Sequence, residues 1–531
     1  MEYKIPKKLG TVKQLIDRFD VAKARKAPWI DHLRECYEYT LPQRETFNSY
    51  SAGQRKNRDI FDSTAVIGVQ SFASRMQATM TPPWRRWSIL TPGSEIAEEH
   101  KEEAQTLLDE TTRIIFDHIN HSNFATQTHE AFLDLAISTG AMTIERSKKP
   151  GAASILEFNA VPLAEIYPEE GPNSSIETVW REREVAARNI EREWEGANVS
   201  SETQKLITSK PNAKITIIEG CVYEPEADMY YTCIIEKKQK HIIYTEEMEV
   251  SPWIIFREMV VPGETLGRGR VMQLLPDIKT LNKVNEFTLR NAALAISGVY
   301  TAQDDGVINP YTMTLEPGAV IPVGSNDNSN PTLKPLDRSG DFNVGELISS
   351  EYRERINKGL FAEPFGGMES PTKTATEMSL RGQELVMSAG SAFSRLQTEF
   401  VEKVIRRVVH ILSKEGKIDD VKVDGRLVTI KHTSPLARAQ DQEDLLSMQQ
   451  FMEMGGALGP EMFGLGAKLE DIVAWTGHKL GIEQKLLRTA AERAVMQEQA
   501  ADMMNAQQAQ AAGQQPQQPQ QPQQPQQGPQ I

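Results

Sequence analysis

The sequence lacks the features that mark a membrane protein or a disulfide-rich secreted one. No stretch contains the roughly 20 consecutive apolar residues that a membrane-spanning helix requires. It has only three cysteines, Cys36, Cys221 and Cys233, and no C-x-x-C pair. We therefore expect free thiols in a reducing compartment, with a Cys221–Cys233 disulfide as the alternative.

The motifs of several common enzyme classes are also missing. There is no G-x-x-x-x-G-K-[ST] phosphate loop, no H-E-x-x-H zinc motif and no G-x-S-x-G nucleophile elbow. The segment GRGRVM at 267–272 begins like a dinucleotide fingerprint but has methionine where the third glycine belongs. We therefore expect no catalytic residue and no cofactor.

Two weak candidates for metal ligands have simpler interpretations. His118 and His121 lie one turn apart on a predicted helix, which is more typical of a solvated helix end than of a metal pair. Asp304 and Asp305 precede a glycine, and this order is more typical of a turn than of a Mg²⁺ site. We expect no metal.

The charge balance limits the way in which the chain can meet nucleic acid. The net charge is −14, from 59 Lys and Arg against 73 Asp and Glu. Tight non-specific DNA binding needs many Lys and Arg contacts to phosphate, so a large DNA-clamping surface is not expected. A protein that DNA passes without adhering fits this balance.

Helical and strand patterns divide the first half of the chain. Apolar residues recur at helical spacing in 12–41, 62–80, 95–122 and 124–139, with Asp62 or Ser63 as the cap of the helix that ends near Met80. Residues 153–256 instead alternate Ile, Val and Tyr between turn residues, which predicts strands. The predicted fold class is α+β, mainly α-helical.

The middle of the chain predicts two long helices with a strand-and-turn region between them. The first covers 271–297 and is about 40 Å long; Pro276 would either kink it or mark its true start. The second covers 343–363, where apolar residues recur every four positions. A third helix is predicted over Ala375–Lys414, and 436–500 is again helical.

The C-terminal segment 505–531 is rich in Gln and Pro. It has almost no apolar side chains, so burial cannot offset the entropy lost on ordering. We expect it to be disordered.

Four segments carry a resemblance to a known family, the portal or head-to-tail connector proteins of short-tailed bacteriophages. The segments are DSTAVIGVQSFASRMQATMTPPWRRWSIL at 62–90, GETLGRGRVMQLLPDIKTLNKVNE at 263–286, SPTKTATEMSLRGQEL at 370–385 and TSPLARAQDQEDLLSMQQF at 433–451. Their order and spacing resemble the family over nearly the whole chain except the Gln/Pro tail. None of them is a catalytic motif.

The resemblance implies a portal fold that assembles as a ring of about twelve copies around a central channel. It implies the following divisions of the chain: a wing over 1–270, stem helix 1 over 271–297, an α/β clip over 298–342, stem helix 2 over 343–363, a tunnel loop over 364–374, a long wing helix and return strand over 375–432, and a helical crown over 433–504.

The resemblance also suggests residues for three surfaces. The tunnel loop would bring Thr372, Lys373 and Thr374 toward DNA. The remaining candidates are stem residues facing the channel (Lys283, Glu286, Arg290, Glu351, Arg355 and Lys358) and clip residues meeting partners (Asp304, Asp305, Asn309 and Tyr311). A simpler interpretation of the charged stem residues is an ordinary solvated helix face with Glu/Lys pairs.

The partners implied are other copies of the chain, double-stranded DNA, the terminase large subunit, a tail adaptor, capsid and scaffolding proteins, and internal core proteins, with no membrane. The protein would be assembled in the host cytoplasm and lie in the virion at the capsid vertex between head and tail. It would serve as a conduit for genome packaging and ejection, not as an enzyme.

Other functions remain open at this point. The chain fits another oligomeric phage structural protein, such as a tail adaptor or internal core component, or less well a Mg²⁺-dependent nucleic-acid-processing enzyme. A helical scaffold that binds partners through its Gln/Pro tail is a third alternative. The PPWRRWS segment at 82–88 favours aromatic anchors on a core over a base-stacking surface.

Overall fold

The computed structural model describes residues 9–48, 53–83, 85–297, 300–302, 333–335, 342–362, 390–419, 425–433 and 435–458, together with 421, 423 and scattered positions from 467 to 503. The chain divides into two compact units. The first comprises Met1–Ser88, Arg113–Val423 and His432–Ala439. The second comprises Ile89–Thr112, Asp424–Lys431 and Gln440–Ile531.

Most of the described helices agree with the predicted helical regions, but two short helices, Ile190–Glu193 and Ser201–Ser209, lie within 153–256, where strands were predicted. The described helices are α1 Val12–Lys26, α2 Ile30–Thr40, α3 Thr64–Met80, α4 Glu98–Asn120, α5 Phe124–Ile137, α6 Ile190–Glu193, α7 Ser201–Ser209, α8 Arg270–Ser297, α9 Phe342–Gly359, α10 Gly390–Leu396, α11 Lys403–Lys414, α12 Pro435–Leu458 and α13 Leu469–Leu480. None of these helices has both the length and the apolarity needed to cross a bilayer.

Strands occupy most of the region where an alternating pattern predicted them, and the α+β class is confirmed. The described strands are β1 Ser88–Pro92, β2 Thr139–Arg146, β3 Leu156–Ala160, β4 Ile166–Glu170, β5 Ile176–Ala186, β6 Lys214–Glu224, β7 Met229–Glu236, β8 His241–Met248, β9 Trp253–Arg257, β10 Tyr300–Ala302, β11 Leu333–Pro335 and β12 Val428–His432.

The largest sheet is an antiparallel meander in the order β4-β5-β6-β7-β8. Period-2 alternation sends successive side chains to opposite faces, so each face can build a core of its own. On one face Phe19 of α1 packs edge-on against Trp180 and Tyr167, at 6.2 and 5.3 Å between ring centroids. The other face buries Ile217 and Ile234 beneath the α6–α7 region.

A second sheet has the strand order β3-β2-β9, and its strand β9 shortly precedes the long helix α8 in the chain. Phe256 of β9 packs against Phe400 with 4.6 Å between ring centroids, and Phe132 of α5 contacts both rings. All three rings are fully buried. The apolar strand β9 is therefore covered by helices, which explains its continuous burial.

The long helix predicted over Ala375–Lys414 is interrupted within its described part. Residues Gln397–Glu402 form a π-helical turn between α10 and α11. A π turn inserts an extra residue and rotates the side chains that follow it. Residues 375–389 of this prediction lie outside the described part of the chain.

In the second unit, β1 pairs with β12. Gly93, just after β1, lies so near the Arg426 carbonyl oxygen that a Cβ atom would be 1.8 Å from it. Only glycine permits this approach. The Leu90 N–H donates to Thr112 Oγ1 at 3.1 Å, which joins β1 to the α4 segment of the same unit.

Two interpretations of single residue types are confirmed. All three cysteines are free and buried, and Cys233 lies opposite Gly220, not Cys221, in the β6–β7 register. Trp87 is 2% exposed and stacks on Phe124 at 5.7 Å between centroids, so it anchors a core as predicted. Trp84 lies outside the described residues.

Candidate functional site

Helices α8 and α9 form an antiparallel hairpin. Gly359 at the end of α9 lies against Leu274 near the start of α8, Ser349 bonds to Asn285, and Gly345 lies beside Thr288. A Cβ at position 359 would be 2.7 Å from Leu274 Cδ1, so glycine allows the helices to approach closely at this end. The hairpin is the candidate functional site.

Helix α8 has an apolar stripe that is buried along its N-terminal half, where the helix packs on the rest of the first unit (the body). Leu275, Ile278 and Leu281 are each at most 4% exposed. On α9, Ile356 and Leu360 are fully buried, and Leu360 packs onto Gly68 of α3, where a Cβ would be 2.7 Å from its Cδ1. This half of the hairpin therefore belongs to the core of the first unit.

The boundaries of α8 agree with the predicted 271–297 to within one residue, whereas α9 ends earlier than predicted. Pro276 does not mark the start of α8, which begins at Arg270, so the proline lies inside the helix. Helix α9 ends at Gly359 and not at 363, because Phe361 takes a left-handed conformation with φ of 53°. The Ala362 N–H then donates to the Asn357 oxygen at 2.7 Å and the Phe361 N–H to Lys358 at 3.1 Å, a Schellman cap.

The charged stem residues that we predicted pair mainly within their own helices. Lys283 Nζ lies 2.8 Å from Glu286, which also pairs with Arg290, and Arg355 lies 2.6 Å from Glu351. The hydrogen bond from Lys283 holds the pKa of Glu286 below its ordinary value. Lys358, in the last turn of α9, is exposed.

The half of the hairpin far from the body exposes large apolar side chains. Phe287 and Leu289 on α8 are 52% and 56% exposed, and Leu347 on α9 is 71% exposed. The buried stripe ends near Leu281, and Phe287 instead lies beneath the Lys283 ammonium, 4.9 Å from its ring centroid.

A polar cluster that the sequence did not reveal holds the hairpin to the N-terminal body. We call it the clasp, and it comprises residues 59–62, Asn282, Asn285, Ser349 and Arg353. Asn282 Oδ1 accepts the Phe61 N–H at 2.7 Å, and its Nδ2 donates to the Asp59 carbonyl at 2.7 Å. Asn282 and Arg353 thus both contact the loop at 59–62.

Asp62 lies at the centre of the clasp. Its Oδ1 accepts the Thr64 N–H at 2.8 Å, as a capping residue would, and its Oδ2 lies 2.6 Å from Asn285 Nδ2 and 2.9 Å from Arg353 Nη2. Burial alone would raise the pKa of Asp62, but the hydrogen bonds from Thr64 and Arg353 outweigh it and lower the pKa. The carboxylate is thus held in its charged form.

Arg270, the first residue of α8, joins the base of the hairpin to β9. Its Nε donates to Glu258 at 2.6 Å, its Nη1 to the Gly359 carbonyl at 3.3 Å, and its guanidinium lies 3.7 Å from the Phe361 ring centroid. Burial raises the pKa of Glu258, although Arg270 opposes the shift. The left-handed Phe361 costs about 1–2 kcal/mol, and the stacking on Arg270 offsets part of this.

A buried arginine, Arg257, ties β9 to the π-helical turn. Arg257 is 2% exposed, and its Nη2 donates to Glu399 Oε1 at 2.7 Å. Its backbone N–H also donates to Glu399 at 2.9 Å, and its other donors reach the carbonyls of Thr265 and Ser174. Glu399 lies in the middle of the π-helical turn, which brings its carboxylate to Arg257.

Several predicted site residues lie outside the described part of the chain. These are Thr372, Lys373 and Thr374 of the tunnel loop, and Asp304, Asp305, Asn309 and Tyr311 of the clip. The 505–531 tail lies outside it as well. Among the residues that are described, no group of three or more His, Cys, Asp or Glu side chains is placed to hold a metal ion.

Ion pairs hold the hairpin at its base and along its polar side: Arg270 pairs with Glu258, Arg353 with Asp62, and Lys283 with Glu286. The hairpin is therefore fixed at its base and exposes an apolar far end.

Comparison with known proteins gives a consistent family. The sequence model described as "Bacteriophage head to tail connecting protein" matches residues 12–487. The chain is similar to a probable portal protein of Bordetella phage BPP-1, with 21% identity across 93% of this chain and 92% of that protein. It is also similar to the portal proteins of Escherichia phage T7 (19% identity, 91% and 90% covered) and Salmonella phage epsilon15 (18%, 84% and 83%).

Proposed function

The chain belongs to the bacteriophage head to tail connecting protein family and has a portal function at the phage capsid vertex, and from that premise we propose that about twelve copies close into a ring around a DNA channel. The ring is a conduit for genome packaging and ejection and not an enzyme. In this proposal the hairpin is the stem, with Arg270–Ser297 and Phe342–Gly359 as its two helices.

The exposed far end of the hairpin is the observation that carries the proposal. Phe287, Leu289 and Leu347 are large apolar side chains that their own subunit leaves more than half exposed. Apolar area of this kind gains about 25 cal/mol per Å² when it is covered. Neighbouring stems in a ring would cover it, since a heterologous contact that closes generates a ring.

The remaining parts of the chain take the roles that the family resemblance suggests. We assign the wing to 1–270 and 375–432, the clip to 298–342, the tunnel loop to 364–374 and the crown to 433–504. The clip, through Asp304, Asp305, Asn309 and Tyr311, would dock the terminase large subunit and the tail adaptor. Capsid, scaffolding and internal core proteins would meet the outer parts of the ring, which is assembled in the host cytoplasm.

DNA contact in this proposal is weak and independent of sequence. The net charge of −14 per copy leaves few free cations to hold phosphates, so DNA can slide. The stem side chains Glu286, Arg290, Lys283, Glu351, Arg355 and Lys358 would line the channel. Lys373, flanked by Thr372 and Thr374, would touch the phosphate backbone.

Imaging of the purified full-length chain tests the ring. Rotational averaging of negatively stained particles is expected to show closed rings with an axial channel, and native mass spectrometry is expected to give a mass near twelve subunits. A monomer at all concentrations would refute the proposal.

The role of Lys373 is tested separately by Lys373→Glu. We expect rings to form normally and the retention of packaged DNA to change, because the substitution replaces an attraction to phosphate with a repulsion. Unchanged packaged length and retention would contradict a role for Lys373 while leaving the ring intact.

A further inference from the structure

Asp62 is the point at which three elements of the chain meet. Its carboxylate caps the start of α3 through the Thr64 N–H and binds Asn285 of α8 and Arg353 of α9 through the other oxygen. One side chain thus joins the N-terminal body to both helices of the hairpin. We infer that Asp62 is a positioning residue that fixes the direction in which the hairpin leaves the body, and so decides whether copies close a ring; this rests on the proposed function.

The clasp is suited to fix a direction because its contacts are polar. Hydrogen bonds weaken steeply when their angle changes, whereas apolar contacts tolerate sliding. Asn282 and Ser349 are 8% and 3% exposed, and Asn282 both donates to and accepts from the backbone at 59–62. Tilting the hairpin would leave these buried groups without partners, which is unfavourable because a buried polar group without a hydrogen bond keeps its full desolvation penalty.

The position of the clasp makes the far end of the hairpin sensitive to its geometry. Helix α8 continues from Asn285 to Ser297, a length of about 18 Å at 1.5 Å per residue. A tilt of about 10° at Asn285 therefore moves the far end by roughly 3 Å over that length. Phe287 and Leu289, the side chains proposed to meet the neighbour, lie about 3 and 6 Å beyond Asn285, so the same tilt moves them by about 0.5 and 1 Å.

Ring closure depends on that angle. A heterologous contact forms a closed ring only when each copy is rotated by the angle that returns the last copy to the first. A hairpin that tilts freely still exposes the same apolar residues and can still associate. Its products would be open chains and mixed sizes, so loss of the clasp should change the form of the assembly more than the fold of the subunit.

Asp62 contributes its negative charge to the clasp through the ion pair with Arg353. This charge can be removed by a substitution that keeps the size of the side chain. Arg353 is the charged group that faces it from α9, while α8 presents the neutral amides of Asn282 and Asn285 and α3 presents Thr64. Asp62→Asn keeps an oxygen for the Thr64 N–H and removes the ion pair. Arg353→Gln removes the same pair from an arginine whose side chain is 44% exposed, so the variant is expected to fold.

The test compares full-length wild type with Asp62→Asn, Arg353→Gln and Arg353→Lys. Closed rings and open oligomers are counted in negative-stain images, and hydrogen exchange by mass spectrometry reports on the subunit. Arg406→Gln is the matched control, because Arg406 pairs only locally with Glu402 at 2.6 Å and its side chain is 42% exposed.

We expect Asp62→Asn and Arg353→Gln to lower the ratio of closed to open assemblies at least about fivefold, with faster exchange confined to α8, α9 and 59–64. Arg353→Lys keeps the charge and should recover most of the rings, and Arg406→Gln should match wild type.

Wild-type ring ratios in both Asp62→Asn and Arg353→Gln would overturn the inference while the proposed ring stands. If Asp62→Asn does not fold, Arg353→Gln decides alone. If the wild type itself forms no rings, the proposed function fails and this inference fails with it.

Discussion

Removing the Glu399 carboxylate should destabilise the first unit more than any exposed substitution on the same helix. Glu399 accepts from the backbone N–H of Arg257 and from its guanidinium, and Arg257 is 2% exposed. In Glu399→Ala the guanidinium keeps two backbone carbonyl partners but loses its counter-charge. Glu399 is also the main charge opposing the burial that lowers the pKa of Lys403.

The magnitude follows from breaking a buried pair at one partner. An uncompensated buried charge costs about 3–5 kcal/mol, so we expect Glu399→Ala to lower the free energy of unfolding by that amount. Glu399→Gln keeps an acceptor for the Arg257 N–H and should cost about 1.5–3 kcal/mol. Replacing both partners with apolar residues, as in Arg257→Met with Glu399→Leu, should recover most of the loss.

Urea denaturation followed by circular dichroism measures these differences, with m-values compared to confirm that the same surface unfolds. Glu402→Ala is the control, since Glu402 lies in the same π-helical turn but forms a half-buried pair with Arg406, with side chains 30% and 42% exposed, and should cost less than about 1 kcal/mol. A loss below about 1 kcal/mol in Glu399→Ala would refute the argument that the π turn places a stabilising carboxylate at Arg257.

Three further perturbations have clear expectations. Burial lowers the pKa of Lys26 to about 7, against 10.5 for a free lysine, so burying the charged side chain destabilises the fold most below pH 7 and less as the pH rises. The stability of the wild type relative to Lys26→Met should therefore rise by about 2 kcal/mol between pH 6.5 and 8.5, as measured by urea titrations. A stability difference that stays constant with pH would contradict this. Gly269 lies just before α8, and Gly269→Ala would put a Cβ 2.3 Å from the Ala136 carbonyl oxygen. The free energy of unfolding should fall by about 2 kcal/mol or more, seen as a lower thermal midpoint. An unchanged midpoint would show that the backbone can shift to relieve the clash. Phe287→Ser should change subunit stability by no more than about 0.5 kcal/mol but weaken self-association, measured by analytical ultracentrifugation. Val21→Ser is the control, because Val21 on α1 is about as exposed and its substitution should not weaken self-association. Equal weakening by both variants would count against the stem contact.

The family was predictable from sequence because its markers are local. Four segments with the right order carried the resemblance, and the family match over residues 12–487 confirms it. Helix α8 was also predictable, since its apolar residues repeat with the helical period and that signal needs no knowledge of the rest of the fold.

The structure differed from the sequence-based predictions where a residue contacts a partner far along the chain. Periodicity places Asn282 and Lys283 on neighbouring positions of a polar face, but Asn282 turns to the backbone at Asp59 while Lys283 pairs within α8. The end of α9 is similar: nothing local requires Phe361 to adopt a positive φ, which the Schellman cap and the ring's contact with Arg270 support.

The sequence alone determined most of the helices and strands, the apolar stripe near the start of α8, and the family to which the chain belongs, because these are encoded by side chains a few positions apart. Only the tertiary structure decided that Asp62 joins α3 to both helices of the hairpin and that Glu399 reaches Arg257 through a π turn. Hydrogen bonds and buried ion pairs depend on distance and angle in space, and a linear pattern does not specify either for residues more than a hundred positions apart.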